Sequence, residues 1–387
     1  MLIKRLTLKN ILSFKETSVE LNELNVLIGP NAAGKSNLIE AISLLRAPNG
    51  LEAQILRGGG VRQWLWLGDR EPAQVAEIEC ELVLPSAPKF GPLVYRLRFA
   101  DSGGFSILAE HLAKAGLAEE AEVFFDRVAN RVNFGPQAQT PTNGARTAEV
   151  PSNRSMLAQF KIPGDTTPIT EVGACFEQIQ VYREFRTGFN SQARHGISTA
   201  APKDFLSESA DNLALVLHQL DFLGTHDRIQ ECLKRFCDRF EDVKVGLGEG
   251  LARPFLKEAG LSDMLSGIRI SDGTLKFLCL LAVLFHPNPA PLVCIEEPEL
   301  GLHPDALRLV AEVLAEASLH TQLIVTTHSE SLIDALTDRP ESVLVCEHDF
   351  DNGTQFKRYS CDELDEWLEH YTLGELWRKG EIGGGRW

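Results

Sequence analysis

The segment Gly29-Pro30-Asn31-Ala32-Ala33-Gly34-Lys35-Ser36 matches G-x-x-x-x-G-K-[ST] at every fixed position. Its glycines let backbone N–H groups turn inward around a polyphosphate. Lys35 offers a point charge to the β- and γ-phosphates, and the Ser36 hydroxyl can ligand Mg²⁺. An apolar run, Leu24–Ile28, precedes it, and a helix-like run beginning at Asn37 comes after it. The pattern predicts a nucleotide cradle built from Gly29 to Asn37, for ATP or GTP with Mg²⁺.

A phosphate loop alone does not distinguish a kinase from a GTPase or a mechanical ATPase, and three later motifs narrow the choice. Leu292-Val293-Cys294-Ile295-Glu296-Glu297 is an apolar strand ending in two carboxylates. That order suits a Mg²⁺ site followed by a water-activating base. Glu296 would hold the metal, directly or through water. Glu297, one residue further along an extended chain and so on its opposite side, would orient or deprotonate the attacking water. The stretch Glu296–Glu299 could otherwise be a solvated acidic loop capping the next helix.

Leu323-Ile324-Val325-Thr326-Thr327-His328 is a buried strand leading to a histidine at its carboxyl end, where open α/β sheets place ligand chemistry. His328 could hydrogen-bond a γ-phosphate. Ser271-Asp272-Gly273-Thr274 precedes an apolar helix, so Ser271 and the Gly273 amide fall at a helix N-terminus, a natural anion site and equally a plain cap.

Periodicity supplies the scaffold for these residues. Leu2–Leu8 and Thr17–Leu21 alternate as strands, Asn37–Arg46 carries Leu38, Ile39, Ile42 and Leu45 on one helical face, and Val75–Leu84 and Leu93–Phe99 alternate again. Between Ala100 and Thr199, Gly, Pro, Asn and Thr break the pattern, so loops and short elements are expected. Phe205–Phe240 regains helical spacing as two helices joined around Gly224-Thr225. Residues 268–346 alternate helix and strand, implying a mainly parallel sheet. The expected divisions are 1–100, the first half of a nucleotide-binding head; 101–204, a loop-rich insertion with short strands; 205–262, a small helical lobe; 263–347, the second half of the head; and 348–387, a C-terminal extension. The fold class is α/β, a P-loop head with an antiparallel β layer.

The chain has 387 residues, 44% of them apolar, and a formal charge of −16. Such a balance argues against coating nucleic acid by bulk electrostatics, though not against a local basic groove. Tyr182-Arg183-Glu184-Phe185-Arg186 through Arg194-His195 interleaves arginines with aromatics and is the candidate for one. A solvated loop with scattered arginines is the plainer reading. The eight cysteines form no C-x-x-C pair and several lie in apolar runs, which reads as reduced core residues. No stretch is apolar enough to span a membrane and the start alternates like a strand, so the expected address is cytoplasmic.

Read in order, Gly29–Ser36, Ser271-Asp272-Gly273, Leu292–Glu297, Pro298-Glu299-Leu300-Gly301-Leu302-His303-Pro304 and His328 resemble the ATPase heads of the ABC superfamily. More narrowly they resemble the RecF/SMC/OLD-like branch, labelled AAA family ATPase of abortive-infection or DNA-repair type. The resemblance is clear over residues 1–50 and 265–340 and thin over 100–260. It implies ATP with Mg²⁺, and it makes Ser271 and Gly273 the signature motif that contacts the γ-phosphate held by the other protomer of a head-to-tail dimer. It also implies that Pro298–Pro304 couples the two sites, and that a glutamine completes the metal site, with Gln159 the choice and Gln178 second. Glu296 stands where many ABC heads carry Asp, and Ser-Asp-Gly-Thr replaces Ser-Gly-Gly-Gln.

No heptad arm separates the two halves, and the stretch after His328 is too short for the Toprim nuclease of OLD-like proteins. The resemblance therefore points to a dimerising ATPase in DNA repair or anti-phage defence that controls a separate nuclease or toxin, with Arg183, Arg186 and Arg194 as possible nucleic-acid contacts. An ATP-locked scaffold that restrains an effector is the alternative. For it, Asp362–Glu369 and the Trp377–Trp387 tail would be docking surface, unless the tail helix packs on its own head. A transporter subunit fits neither the signature nor the 100–260 insertion. Ser13-Phe14 is a candidate neighbour of adenine.

Overall fold

The computed structural model describes residues 1–68, 74–116, 122–135, 146–160 and 167–383. The chain divides into two compact units. One comprises Met1–Ile179, Glu341–Tyr359 and Gly380–Trp387, and the other Gln180–Pro340 and Ser360–Lys379.

In the first unit, Leu24–Ile28 is buried at every position and pairs in parallel with Val343–Asp349, Val26 opposite Val343 and Ile28 opposite Val345. A strand covered on both faces needs the continuous apolar run that this segment has. Val343–Asp349 returns as the antiparallel strand Gly353–Arg358, which meets Phe14–Glu20. The second of these strands, expected in a C-terminal extension, belongs to the same sheet, one strand removed from Leu24–Ile28. Antiparallel pairing then continues through Ile3–Ile11, Val75–Val83 and Pro92–Asp101. On Val75–Val83 every second residue is buried, the mark of a half-covered strand.

After residue 100, where loops and short strands were expected, antiparallel pairing continues through Phe105–Lys114, Val123–Val128, Arg131–Phe134 and Thr147–Glu149. Their alternation is hidden in the sequence because two inward positions carry opposite charges. Glu110 and Arg127 are both fully buried and lie 3.4 Å apart. Glu110 also accepts hydrogen bonds from the Tyr95 hydroxyl, the Ser155 hydroxyl and the Met156 N–H, while Arg127 donates to the carbonyls of Ala129 and Pro151. A buried ion pair is tolerable only when its remaining hydrogen-bonding capacity is met in this way.

In the second unit, Gln180–Tyr182, Leu292–Glu296 and Gln322–Thr326 run parallel, with Tyr182 opposite Ile295 and Ile295 opposite Val325. Helices Asp272–Leu284 and Leu307–Ala317 bury their apolar residues. The two helices expected around Gly224 are Leu213–Phe222 and His226–Phe236, with Gly224 left-handed at φ 86°. Beyond them the helical lobe expected to reach residue 262 gives way to strands. Phe240–Gly248 and Leu251–Glu258 form a hairpin whose two-residue turn, Glu249-Gly250, has positive φ at both positions, the geometry that matches strand twist.

The tail helix Leu373–Lys379 packs on its own unit. Leu373 and Leu376 are buried, and Asp334 receives the Gly374 N–H at 3.0 Å. The helix Cys361–Leu368 is held by a capping box between Ser360 and Glu363 and buries only Leu364. Gly384–Trp387 lie outside the described residues. Among the described residues no helix is long and apolar enough to cross a membrane.

Candidate nucleotide site

Gly29 comes after the buried strand at φ 147°, and a Cβ there would sit 2.2 Å from the Cys346 carbonyl oxygen, so only glycine allows the chain to leave the sheet this closely. Ala32 is left-handed at φ 62° and Gly34 at φ 103°. Helix Lys35–Arg46 starts directly after Gly34 with no side-chain cap. An uncapped helix start presents N–H groups and the positive end of the helix dipole to an anion. Asn31, Ala32 and Ser36 are exposed, Asn37 is half-buried, and Pro30 leads into the turn. Lys35 folds back over the loop, donating to the Gly29 carbonyl at 2.8 Å and the Pro30 carbonyl at 2.9 Å.

Behind the loop, the Thr354 hydroxyl lies 2.9 Å from the Ala33 carbonyl oxygen and 2.8 Å from Ser13 Oγ, and the Cys346 thiol donates to the same carbonyl at 3.1 Å. Burial pushes the Cys346 thiol up to about 12, so it acts here as a neutral donor. Nothing in local periodicity marked Ser13 or Thr354 as partners of the phosphate loop; only strand pairing brings them there. Phe14 is not available to a base. It is buried and stacks on Phe356 at 5.9 Å between centroids. Gln159 ends the four-residue helix Met156–Gln159 in this unit and is exposed, and Gln178 caps the helix Pro168–Glu177.

In the second unit the two carboxylates do not alternate as an extended chain would place them. Glu296 closes the strand, but Glu297 is left-handed at φ 46°. Its N–H bonds the Thr326 carbonyl at 2.9 Å, and its own carbonyl accepts the Leu300 N–H at 3.1 Å. The turn, and not strand alternation, thus sets the direction of the Glu297 side chain. A non-glycine residue held there stores on the order of 1–2 kcal/mol of backbone strain. Glu297 Oε1 stands 3.9 Å from His328 Nε2, with both side chains about one-third exposed. Glu299 fixes the segment below: its Oε1 accepts the Thr327 hydroxyl at 2.6 Å and the His328 N–H at 2.9 Å.

Ser271 caps helix Asp272–Leu284, accepting the Thr274 N–H at 3.1 Å. Gly273 packs against the Gly301 carbonyl, which a Cβ would approach to 2.8 Å. The serine-capped helix start and the loop beginning at Glu297 are therefore in direct contact. The Asp272 carboxylate pairs with Arg194, leaving only its backbone for a phosphate.

Two of the arginines proposed for nucleic acid have other work. Arg194 is 7% exposed, and its guanidinium donates to the carbonyls of Thr187, Gly267 and Ile270 as well as to Asp272, stapling the chain that leads into Ser271. It is not a groove arginine. Arg183 adjoins the strand that pairs with Leu292–Glu296, and its Nε lies 3.5 Å from Glu296 Oε1. Arg186 is exposed. Among the described residues no group of three or more His, Cys, Asp or Glu could hold a metal ion by itself.

A family model described as "AAA domain, putative AbiEii toxin, Type IV TA system" matches residues 130–334, and a second, "AAA ATPase domain", matches residues 1–79. No curated protein matches the chain. Among solved structures, the SmcHead bound to the C-winged helix domain of ScpA is similar at 15% identity and TM-score 0.59, over 93% of this chain and 99% of that one. An Smc head with an extended coiled coil bound to the C-terminal domain of ScpA, from Pyrococcus furiosus, gives 14% and 0.59 over 95% and 98%. One from Pyrococcus yayanosii with a coiled coil and joint gives 12% and 0.53 over 95% and 99%. The chain belongs to the family described as "AAA domain, putative AbiEii toxin, Type IV TA system", matched at residues 130–334, and its fold is the α/β fold of the Smc heads.

Proposed function

We propose that this ATPase works as a head-to-tail dimer with a composite site, in DNA repair or anti-phage defence, and controls a separate nuclease or toxin. ATP would lie on Gly29–Asn37 of one protomer. The Ser271 hydroxyl and the Gly273 amide of the other would reach its γ-phosphate, Glu297 would position or deprotonate the attacking water, and His328 would hydrogen-bond the γ-phosphate. Mg²⁺ takes hard oxygen ligands, which fits the Ser36 hydroxyl and the Glu296 carboxylate, with Gln159 the proposed third. The bound ion would offset phosphate charge.

The observation that carries this reading is the contact between Gly273 and Gly301. It joins the exposed, serine-capped helix start to the loop that begins at Glu297, so a γ-phosphate docking on the helix would act directly on the hydrolytic residues. Ile268 and Leu300, 43% and 52% exposed, give the same region apolar area for a second copy to cover. The family description, with its toxin and type IV system, supports control of an effector.

The test is Glu297→Gln with ATP on a sizing column. Stalled hydrolysis with a persistent dimer is expected, and a strictly monomeric profile counts against the composite site. Polynucleotide-stimulated hydrolysis tests the nucleic-acid part, for which Arg186 and the exposed His195 remain the candidate contacts.

A second reading, an ATP-locked scaffold, is favoured by one feature. Helix Cys361–Leu368 exposes Asp362, Asp365 and Glu366 beside Trp367, which is 43% exposed. Trp367→Ala should abolish co-purification with a partner protein if this face docks one.

A further inference from the structure

We infer that Thr354, acting with Ser13, is a positioning residue for nucleotide binding: it turns the Ala33–Gly34 peptide so that its N–H faces the phosphate. This rests on Gly29–Ser36 being the phosphate cradle. Thr354 is fully buried and fixed on both sides, its N–H donating to the Ser13 carbonyl at 2.8 Å and its carbonyl accepting the Thr17 hydroxyl at 2.6 Å. Its side chain thus has one direction to face, toward the loop. Oγ1 lies within hydrogen-bond distance of both the Ala33 carbonyl and Ser13 Oγ. A hydroxyl has a single proton. The Ala33 carbonyl and Ser13 Oγ are both placed to accept that proton. The Thr354 hydroxyl is thus shared between the loop carbonyl and Ser13, and Ser13 holds it beside Ala33.

The consequence comes from the planar trans peptide, whose C=O and N–H point in opposite directions. The Ala33 carbonyl is drawn back into the protein by Thr354 and by the Cys346 thiol. The Gly34 N–H must therefore point forward, and among the described residues it donates to no protein group. Left-handed Ala32 shows that the backbone is held in this orientation against its ordinary preference. A loop released from Thr354 could rotate the peptide and withdraw that donor before any nucleotide arrives.

The experiment measures the affinity of the full chain for the non-hydrolysable analogue adenylyl imidodiphosphate with Mg²⁺, for wild type, Thr354→Val, Thr354→Ser, Ser13→Ala and the Thr354→Val/Ser13→Ala pair. Thr354→Val keeps the shape and loses the hydroxyl, and is expected to weaken binding about tenfold, the worth of one preorganised hydrogen bond. Thr354→Ser, which retains the donor, should recover wild-type affinity to within about twofold. Ser13→Ala should weaken binding less than Thr354→Val and should add nothing in the Thr354→Val background, because Ser13 acts only through the Thr354 hydroxyl.

Equal binding by Thr354→Val and wild type, or an equal loss in Thr354→Ser, overturns the assignment. Should Thr354→Val not fold, the surface-side variant Ser13→Ala decides: unchanged affinity there is also contrary. Lys35→Ala separates this result from the underlying reading. If it binds the analogue as wild type does, the cradle is wrong; if it does not while Thr354→Val binds normally, only the role of Thr354 is wrong.

Discussion

The backbone N–H of His328 donates to Glu299 Oε1 at 2.9 Å, so the loop that begins at Glu297 also fixes where the histidine stands. Removing that carboxylate should displace His328 while leaving the phosphate loop untouched. Glu299→Ala is expected to lower kcat on the order of 10²-fold, the usual cost of about 1 Å of misplacement, with little change in ATP affinity. Steady-state kinetics beside His328→Ala check it. Because both act through one group, the double variant should be no slower than the poorer single variant, and additive losses would refute the link.

Glu297 occupies a backbone conformation that disfavours any side chain. Glu297→Gly should therefore raise thermal stability by about 1 kcal/mol while abolishing turnover, since glycine adopts φ 46° without the Cβ clash. Glu297→Gln, which keeps the strain, should lose about 10²–10⁴-fold in hydrolysis with unchanged stability. The comparison uses melting temperature and phosphate release. A melting temperature for Glu297→Gly below that of wild type would mean that the carboxylate stabilises its turn by contacts outweighing the strain.

Arg183 lies 3.5 Å from Glu296, the carboxylate proposed to serve Mg²⁺. The pair is half open to solvent on the arginine side, where such attractions are weak, about 0.2–1 kcal/mol. If the ion and the guanidinium compete for Glu296, Arg183→Gln should lower the Mg²⁺ concentration for half-maximal hydrolysis by about two- to fivefold. A magnesium titration at saturating ATP reads this out. An increase instead would assign Arg183 to the phosphates.

The Glu110–Arg127 pair is enclosed, and breaking it from one side should be costly. Arg127→Met strands a buried carboxylate and is expected to destabilise by about 3–5 kcal/mol, with Glu110→Met/Arg127→Met recovering much of the loss. Urea unfolding midpoints provide the comparison. Burial raises the Glu110 carboxyl above its ordinary value, outweighing the opposing hydrogen bonds and Arg127. A raised folded value means that this group's contribution is fully present below the unfolded carboxylate range, about pH 4.3, and is lost as pH rises through the folded value. The advantage of wild type over Glu110→Gln should accordingly be larger near about pH 4 than near neutrality.

Local chemistry alone specified several parts of this molecule. The glycine turn Gly29–Gly34 and the uncapped helix start after it are contiguous in the chain, the Ser271 cap is a contact between residues three apart, and the buried parallel strands need continuous apolar runs; each can be read from neighbours in the chain. The helix pair around Gly224 was legible for the same reason. Tertiary contacts set whatever depends on partners distant in sequence. The strands after residue 100 are masked by Glu110 and Arg127, whose charges look like surface until each is placed opposite the other. Arg194 looked available until its donors met the carbonyls of residues 187, 267 and 270. Glu297 was expected to continue strand alternation, but hydrogen bonding to Thr326 holds it in a left-handed turn. Thr354 gained its place behind the phosphate loop only through a hairpin formed more than three hundred residues later, because strand register, and not sequence spacing, sets which side chains meet across a sheet.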